Sequence, residues 1–229
     1  MICPVQRWGI GDIIFEQTLV RAFNEPVIWV VQSAFVEGLQ RAYPDMTFTD
    51  VPPQGYNDMR KDEYTVNGVR FLPLRWADVM LNVPYRMCMQ AKYLLYGLDW
   101  QIWKDMAMWR RDVPRETELR EMLGIAEGEA YNLINRTFRT DNSGKVDISV
   151  NNGLRNIEMR SINGFSLFDW SGIIESATEI HTVSTSIIYI LEMLELKAKS
   201  VDLYVRKPDE HNFENIGYIL QKHRYIQHL

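Results

Sequence analysis

Apolar and polar positions along this chain fall into two successive rhythms, each of strands alternating with helices. In the first, MICPVQ (1–6) is apolar enough for a buried strand. VIWVV (27–31) is an unbroken β-branched and aromatic run, the pattern of a strand covered on both faces, and MTFTDV (46–51) supplies a third strand. Between them, IIFEQTLVRAF (13–23) places Ile14, Leu19, Val20 and Phe23 at helical spacing, and AFVEGLQRAY (34–43) reads as a second helix stopped by Pro44. Strand, helix, strand, helix, strand at this spacing predicts an α/β fold with a doubly wound parallel sheet.

The middle is less regular. EYTVNGVRFLPL (63–74) holds an Asn-Gly pair between two apolar runs, a hairpin signal, and VPYRMCMQAKYLLYGL (83–98) reads as a helix. DWQIWKDMAMWRRD (99–112) carries three tryptophans and is expected to pack in a core, with stacking on sugar faces as the alternative. VPRETELREML (113–123) is a helix ended by Gly124.

A second rhythm follows. AYNLINRTF (130–138), VDISV (146–150) and LRNIEMR (154–160) predict strands, with DNSGK (141–145) a polar turn between the first two. FDWSGIIESA (168–177) is a short helix, TEIHTV (178–183) a strand, STSIIYILEMLEL (184–196) a helix and VDLYVR (201–206) a strand. FENIGYILQKHRYI (213–226) completes the series as an expected terminal helix. The whole reads as two lobes, 1–112 and 113–229, both Rossmann-like and expected to face each other across a cleft.

Composition narrows the classes. The 229 residues are 46% hydrophobic and 24% charged, which suits a packed protein rather than a disordered one. A net charge of -5 gives no general attraction to phosphate backbones or anionic lipids, so nucleic acid is a disfavoured partner. Cys3 and Cys88 lie too far apart in sequence, and in contexts too apolar, for a zinc motif or a disulfide framework. No apolar run nears the ~20 residues of a bilayer span, and no basic region leads into a long apolar stretch, so a cytoplasmic protein without an integral membrane segment is expected.

Two stretches carry candidate chemistry. In RWGIGDII (7–14), Gly9 and Gly11 sit where a strand turns into a helix, letting backbone approach a ligand. The third glycine of a dinucleotide fingerprint is absent, since position 14 is Ile. Asp12 in that turn would repel a phosphate; it suits either a proton acceptor facing a substrate hydroxyl or a helix cap. In the second stretch, EIHTV runs into Ser184, Thr185 and Ser186 and then a helix. Hydroxyls at such a junction either cradle an anion or cap the helix, and His181 either joins them or is satisfied within a packed strand.

RWGIGDII with its helix, VIWVV and FVEGLQRAYPDM resembles the amino-terminal lobe of GT-B glycosyltransferases, with the heptosyltransferase-type enzymes of bacterial surface polysaccharide the nearest in kind. DWSGIIESATEIHTVSTSIIYILEMLEL resembles their carboxyl-terminal lobe. The likeness covers roughly 1–50 and 165–206. It implies that Asp12 is the general base on an acceptor hydroxyl, that Gly9 and Gly11 shape the turn, and that Ser184, Thr185 and Ser186 hold the diphosphate of a nucleotide-sugar donor. The chain is short for the family. The family's Asp-Ser-Gly turn reads Val183-Ser184-Thr185 here, and its lysine beyond the first strand of the second lobe has no clear match. Arg136 and Arg139 either replace that lysine against a leaving diphosphate or are surface charges on a strand end, and Glu175 is either near sugar hydroxyls or on a surface helix. No Asp-x-Asp stands in a convincing metal context, so metal-independent catalysis is expected; the resemblance implies inverting sugar transfer to a glycan or other hydroxyl acceptor, with no cofactor beyond the donor. An epimerase on the same fold and a non-catalytic sugar-nucleotide-binding module are the rival readings.

Overall fold

The computed structural model describes residues 1–138, 144–206 and 216–228. Arg139, the first three residues of the turn expected at 141–145 and the start of the helix expected at 213–226 lie outside the described residues. The chain divides into two compact units, Met1–Arg110 and Arg111–Leu229.

The first unit opens with β1 (Ile2–Pro4), α1 (Ile10–Arg21), β2 (Ile28–Val30), α2 (Ser33–Ala42) and β3 (Thr47–Thr49). A hairpin of β4 (Tyr64–Val66) and β5 (Val69–Leu72) follows, then α3 (Ala77–Leu81) and α4 (Cys88–Leu94). The hairpin turn is Asn67-Gly68, with φ of 51° and 78°. Two left-handed residues in succession match the twist of the flanking strands, which is why Asn-Gly stands there.

β1 pairs in parallel with β5, and β2 with β3, while β4 runs antiparallel to β5. A single parallel bridge, Ile2↔Val27, brings the β2 side of the unit against β1. The order is therefore β3-β2-β1-β5-β4. Successive strands leave β1 in one direction for β2 and β3, and the chain returns on its other side with β5. That reversal makes the gap beyond the carboxyl ends of β1 and β5 a topological switch point, where open α/β sheets bind ligands.

Helix α1 is buried nearly all round. Ile13, Ile14, Phe15, Leu19 and Val20 are inaccessible, and so are Glu16 and Gln17. Buried polar groups need partners. Thr18 Oγ1 donates to Trp103 O at 2.8 Å and accepts from Met106 N at 3.0 Å. Trp103 stacks on Phe15 at 5.2 Å, and Tyr93 meets the same ring edge-on at 5.3 Å. Trp103 and Trp109 are thus core residues.

The second unit contains α5 (Val113–Met122), β6 (Tyr131–Asn135), β7 (Thr137–Phe138), β8 (Gly144–Lys145), β9 (Arg155–Glu158) and α6 (Ser171–Ser176). β10 (Glu179–Val183), α7 (Ile187–Met193), β11 (Val201–Tyr204) and β12 (Tyr225–His228) complete it. Five strands form one parallel sheet in the order β12-β11-β10-β6-β9. Its switch point lies between β6 and β10, because the chain moves from β6 outward to β9 and then crosses back to β10.

Three expectations are corrected here. Residues 146–150 form no strand; Ile148 is buried against Ile134 and Val183, with Val146 and Val150 beside it, so the alternation reflects a plug over the sheet rather than a ladder. The carboxyl-terminal part of the expected helix at 213–226 is instead β12, pairing Tyr225↔Val201 through His228↔Tyr204. Sheet-edge hydrogen bonding overrides helical spacing there. The helix expected over 184–196 is only seven residues long. His223 Nε2 lies 2.9 Å from Leu191 O and 3.2 Å from Leu194 O, so a side chain from the segment before β12 meets the carbonyls at its end.

Candidate functional site

The RWGIGDII turn lies at the switch point of the first unit. Gln6 Nε2 donates to Trp8 O at 2.6 Å, and Trp29 Nε1 donates to Gln6 O at 3.1 Å, which fixes the chain as it leaves β1. Gly9 then adopts φ 89°, ψ 103° immediately before α1. A side chain is strained at that φ, and a Cβ built on Gly9 would collide with the Asp12 carboxylate. Gly9 therefore does two things: it makes the turn and it leaves room for the acid. Gly11 lies within the first turn of α1, so the turn conformation rests on Gly9.

Asp12 does not stand alone. Lys92 Nζ donates to Asp12 Oδ1 at 2.5 Å and to Glu16 Oε1 at 2.5 Å. The three side chains grade inward, with Asp12 32% exposed, Lys92 5% and Glu16 0%. Glu16 Oε2 is buried without a hydrogen-bond partner. Burial raises the Glu16 carboxyl most, Lys92 opposes that, and the Asp12 charge adds to it; the outcome is a pKa pushed up to about 8. Burial lowers the Lys92 ammonium, but Asp12 and Glu16 together reverse this and hold it above its usual range. One well-held cation thus serves an outer and an inner carboxyl group. Neither Lys92 nor Glu16 was singled out in the sequence, although each is a lone charge in an apolar helical run, IIFEQTLV and MCMQAKYLL.

In the second unit the Ser184-Thr185-Ser186 turn follows β10 directly, at the carboxyl side of the β6/β10 switch point. Asn135, the last residue of β6, closes the gap: its Nδ2 donates to Thr182 Oγ1 at 3.0 Å and to Thr185 Oγ1 at 3.2 Å. Ser184 is buried, whereas Thr185 and Ser186 are half-buried. Arg136 comes next after Asn135, with Nε 3.2 Å from Glu158 Oε1 at the end of β9 but not aligned to donate to it. The crevice therefore holds hydroxyls, an amide and a guanidinium paired with Glu158. A seven-residue α7 has little dipole to offer, so an anion there would rely on these side chains. Asn135 carries no charge to mark it beside the arginines of NRTFRT; its place as the final residue of a strand is its sequence signal.

Two expected residues are not brought to that crevice. Glu175 precedes β10 and accepts from Arg111 Nη2 at 2.9 Å. It stands at the amino end of the strand, roughly 15 Å of β rise from the Ser184 end. His181 lies inside β10, with Nε2 3.2 Å from Glu179 Oε2 and Nδ1 3.8 Å from Asp202 Oδ2. It belongs to a polar cluster on the sheet face that also contains His228, 2.5 Å from Asp202.

Among the described residues, no group of His, Cys, Asp or Glu is arranged to hold a metal ion, and no helix is long and apolar enough to cross a membrane. No protein-family model matches the chain, and no curated protein matches it. A similar solved structure is the glycosyl transferase family 9 protein from Veillonella parvula DSM 2008. It is 8% identical, the match covers 99% of this chain and 86% of that chain, and the TM-score is 0.47.

Proposed function

We propose that this chain is a glycosyltransferase that moves a sugar from a nucleotide-sugar donor to an acceptor hydroxyl, with inversion and without a metal. The observation that carries the reading is the presence of two α/β units in one chain, the first with mixed strand pairing and the second with a parallel sheet, each with its chemistry-bearing turn at its own switch point. One turn presents a partly exposed carboxylate, and the other a cluster of hydroxyls, an amide and an arginine. A sugar transfer needs this division of labour: a base for the acceptor and donors of hydrogen bonds for a leaving diphosphate.

In this reading the acceptor oxygen attacks the anomeric carbon, the bond from that carbon to the diphosphate oxygen breaks, and the acceptor proton passes to Asp12. Asp12 Oδ1 is occupied by Lys92, which leaves Oδ2 as the accepting atom. Thr185 and Ser186 hydroxyls and Arg136, turned from Glu158, meet the charge that develops on the diphosphate. The acceptor is a glycan or another hydroxyl compound, and no cofactor other than the donor is required.

The test is Asp12→Asn, assayed for sugar transfer or donor hydrolysis beside donor affinity. A general base contributes about 10²–10⁴-fold, so turnover should drop by that range while affinity stays within about twofold. Unchanged turnover removes Asp12 from the mechanism. Isomerised donor would identify an epimerase instead, and binding with neither outcome would identify a binding module.

A further inference from the structure

From the arrangement in which Lys92 bridges Asp12 to the fully buried Glu16, we propose that Glu16 and Lys92 are positioning residues that allow Asp12 to act as a base, with turnover requiring the ionised form of Glu16. The inference rests on the glycosyltransferase reading for the role of Asp12, and on the geometry of the first unit for the rest.

When Asp12 takes the acceptor proton, it ceases to be an anion, and Lys92 loses that counter-charge. An ammonium 5% exposed cannot turn to water, and a buried cation stripped of its partner is costly. Glu16 lies on the other side of the same nitrogen, also at 2.5 Å. If Glu16 is ionised, the cluster passes from a net charge of -1 to zero as Asp12 is protonated, and Lys92 remains paired throughout. If Glu16 is protonated, the same step takes the cluster from zero to +1 in a buried site. Proton transfer is therefore easy from the first state and penalised from the second.

Burial pushes the Glu16 carboxyl up to about 8 against the opposing pull of Lys92. The other titratable groups facing this cluster are Tyr93 and Tyr96, which feel the Glu16 charge, and Cys88, which feels Lys92 and Asp12. Burial raises all three, so none of them ionises below the Glu16 transition. Of Glu16 and these three groups, Glu16 is the one that titrates near 8.

The experiment has two arms on the full chain. The first follows the ¹³C carboxyl resonance of labelled Glu16 from pH 5 to 10, in the parent and in Asp12→Asn. A midpoint near 8 that falls in the variant is expected, because removing the Asp12 charge removes one of the forces that raise it. The second measures release of nucleoside diphosphate from ADP-, GDP-, UDP- and dTDP-linked hexoses, with water as acceptor, in the parent and in Glu16→Gln. Parent turnover should climb roughly tenfold per pH unit up to that midpoint and then level, following the ionised fraction. Glu16→Gln, which imitates the protonated acid, should lack the climb and fall more than tenfold below the parent at pH 9, with the gap narrowing as pH falls and donor affinity unchanged. A Glu16 midpoint near its ordinary 4.5, or a Glu16→Gln profile that still climbs with the parent's midpoint, overturns the inference while leaving the transferase reading intact. No diphosphate release from any donor, with a Glu16 midpoint near 8, overturns the transferase reading and with it the catalytic meaning of the cluster.

Discussion

Replacing Lys92 with methionine removes the cation shared by Asp12 and Glu16 and keeps an unbranched stem of similar bulk. Below pH 8 the Glu16 carboxyl is protonated in parent and variant alike. The loss there is two charge-assisted hydrogen bonds, offset by the relief of no longer burying an ammonium, and amounts to about 1–3 kcal/mol. Above pH 8 the two proteins diverge. The parent has released the Glu16 proton, whereas the variant, without the opposing charge of Lys92, keeps it. A folded state that binds one more proton than the unfolded state loses about 1.4 kcal/mol of stability per pH unit. The parent is level in that range, so the gap should widen by about 2 kcal/mol between pH 8 and 9.5. In the parent, the raised folded-state value means that the contribution of Glu16 is present in full below pH 4.5, is lost as pH rises toward 8, and is constant beyond. Urea unfolding at half-unit steps from pH 6 to 9.5, followed by tryptophan fluorescence, measures this. Trp170 is the one tryptophan outside the first unit, so the signal reports mainly where the substitution lies. A gap that stays constant or narrows above pH 8 would refute the claim that Lys92 holds Glu16 in its titrating range.

Other expectations follow from the same geometry. Gly9→Ala forces a side chain into φ 89° and against Asp12, so it should cost about 1–3 kcal/mol in thermal or urea unfolding and reduce turnover without weakening donor binding. Asn135→Ala removes the tie between the ends of β6 and β10; calorimetric titration with a nucleoside diphosphate should show affinity reduced about fivefold to fiftyfold, with a stability loss of about 1–2 kcal/mol. Burial pushes the Cys3 thiol up to about 12, so in the folded protein at pH 8 iodoacetamide should leave Cys3 unmodified by mass spectrometry and react with it only in denaturant.

The sheet frameworks were legible because their signals are local. VIWVV could only be a doubly covered strand, and Asn67-Gly68 dictates its own turn. The errors arose where pairing partners decide. Val146 and Val150 flank the buried Ile148 in a strand-like alternation, but the segment is held by packing on Ile134 and Val183 and forms no strand beyond the short β7–β8 pair, whose last bond runs from Val146 N to Arg136 O. Tyr225 and Ile226 sit at helical spacing from earlier apolar residues, yet β11 presents a free edge that captures them as a strand. At the candidate sites, Asp12 and Ser184–Ser186 were visible as odd residues at βα junctions. Lys92 was not, because its partner lies 80 positions away and only the packing of α4 on α1 brings the two together. Of the two positions open to Glu175, the helical one holds: its helix adjoins the same strand as Ser184, but at the other end.

In the proposed function, the β6/β10 switch point holds a nucleoside diphosphate group. Backbone amide chemical-shift mapping of the full chain, titrated with ADP, GDP, UDP and dTDP in turn, addresses it most directly. Saturable shifts are expected for at least one of them, concentrated at Asn135, Arg136 and Ser184 to Ile187. Shifts centred instead on the amino-end residues around Glu175 and Arg155, or no saturable shift with any of the four, would contradict it.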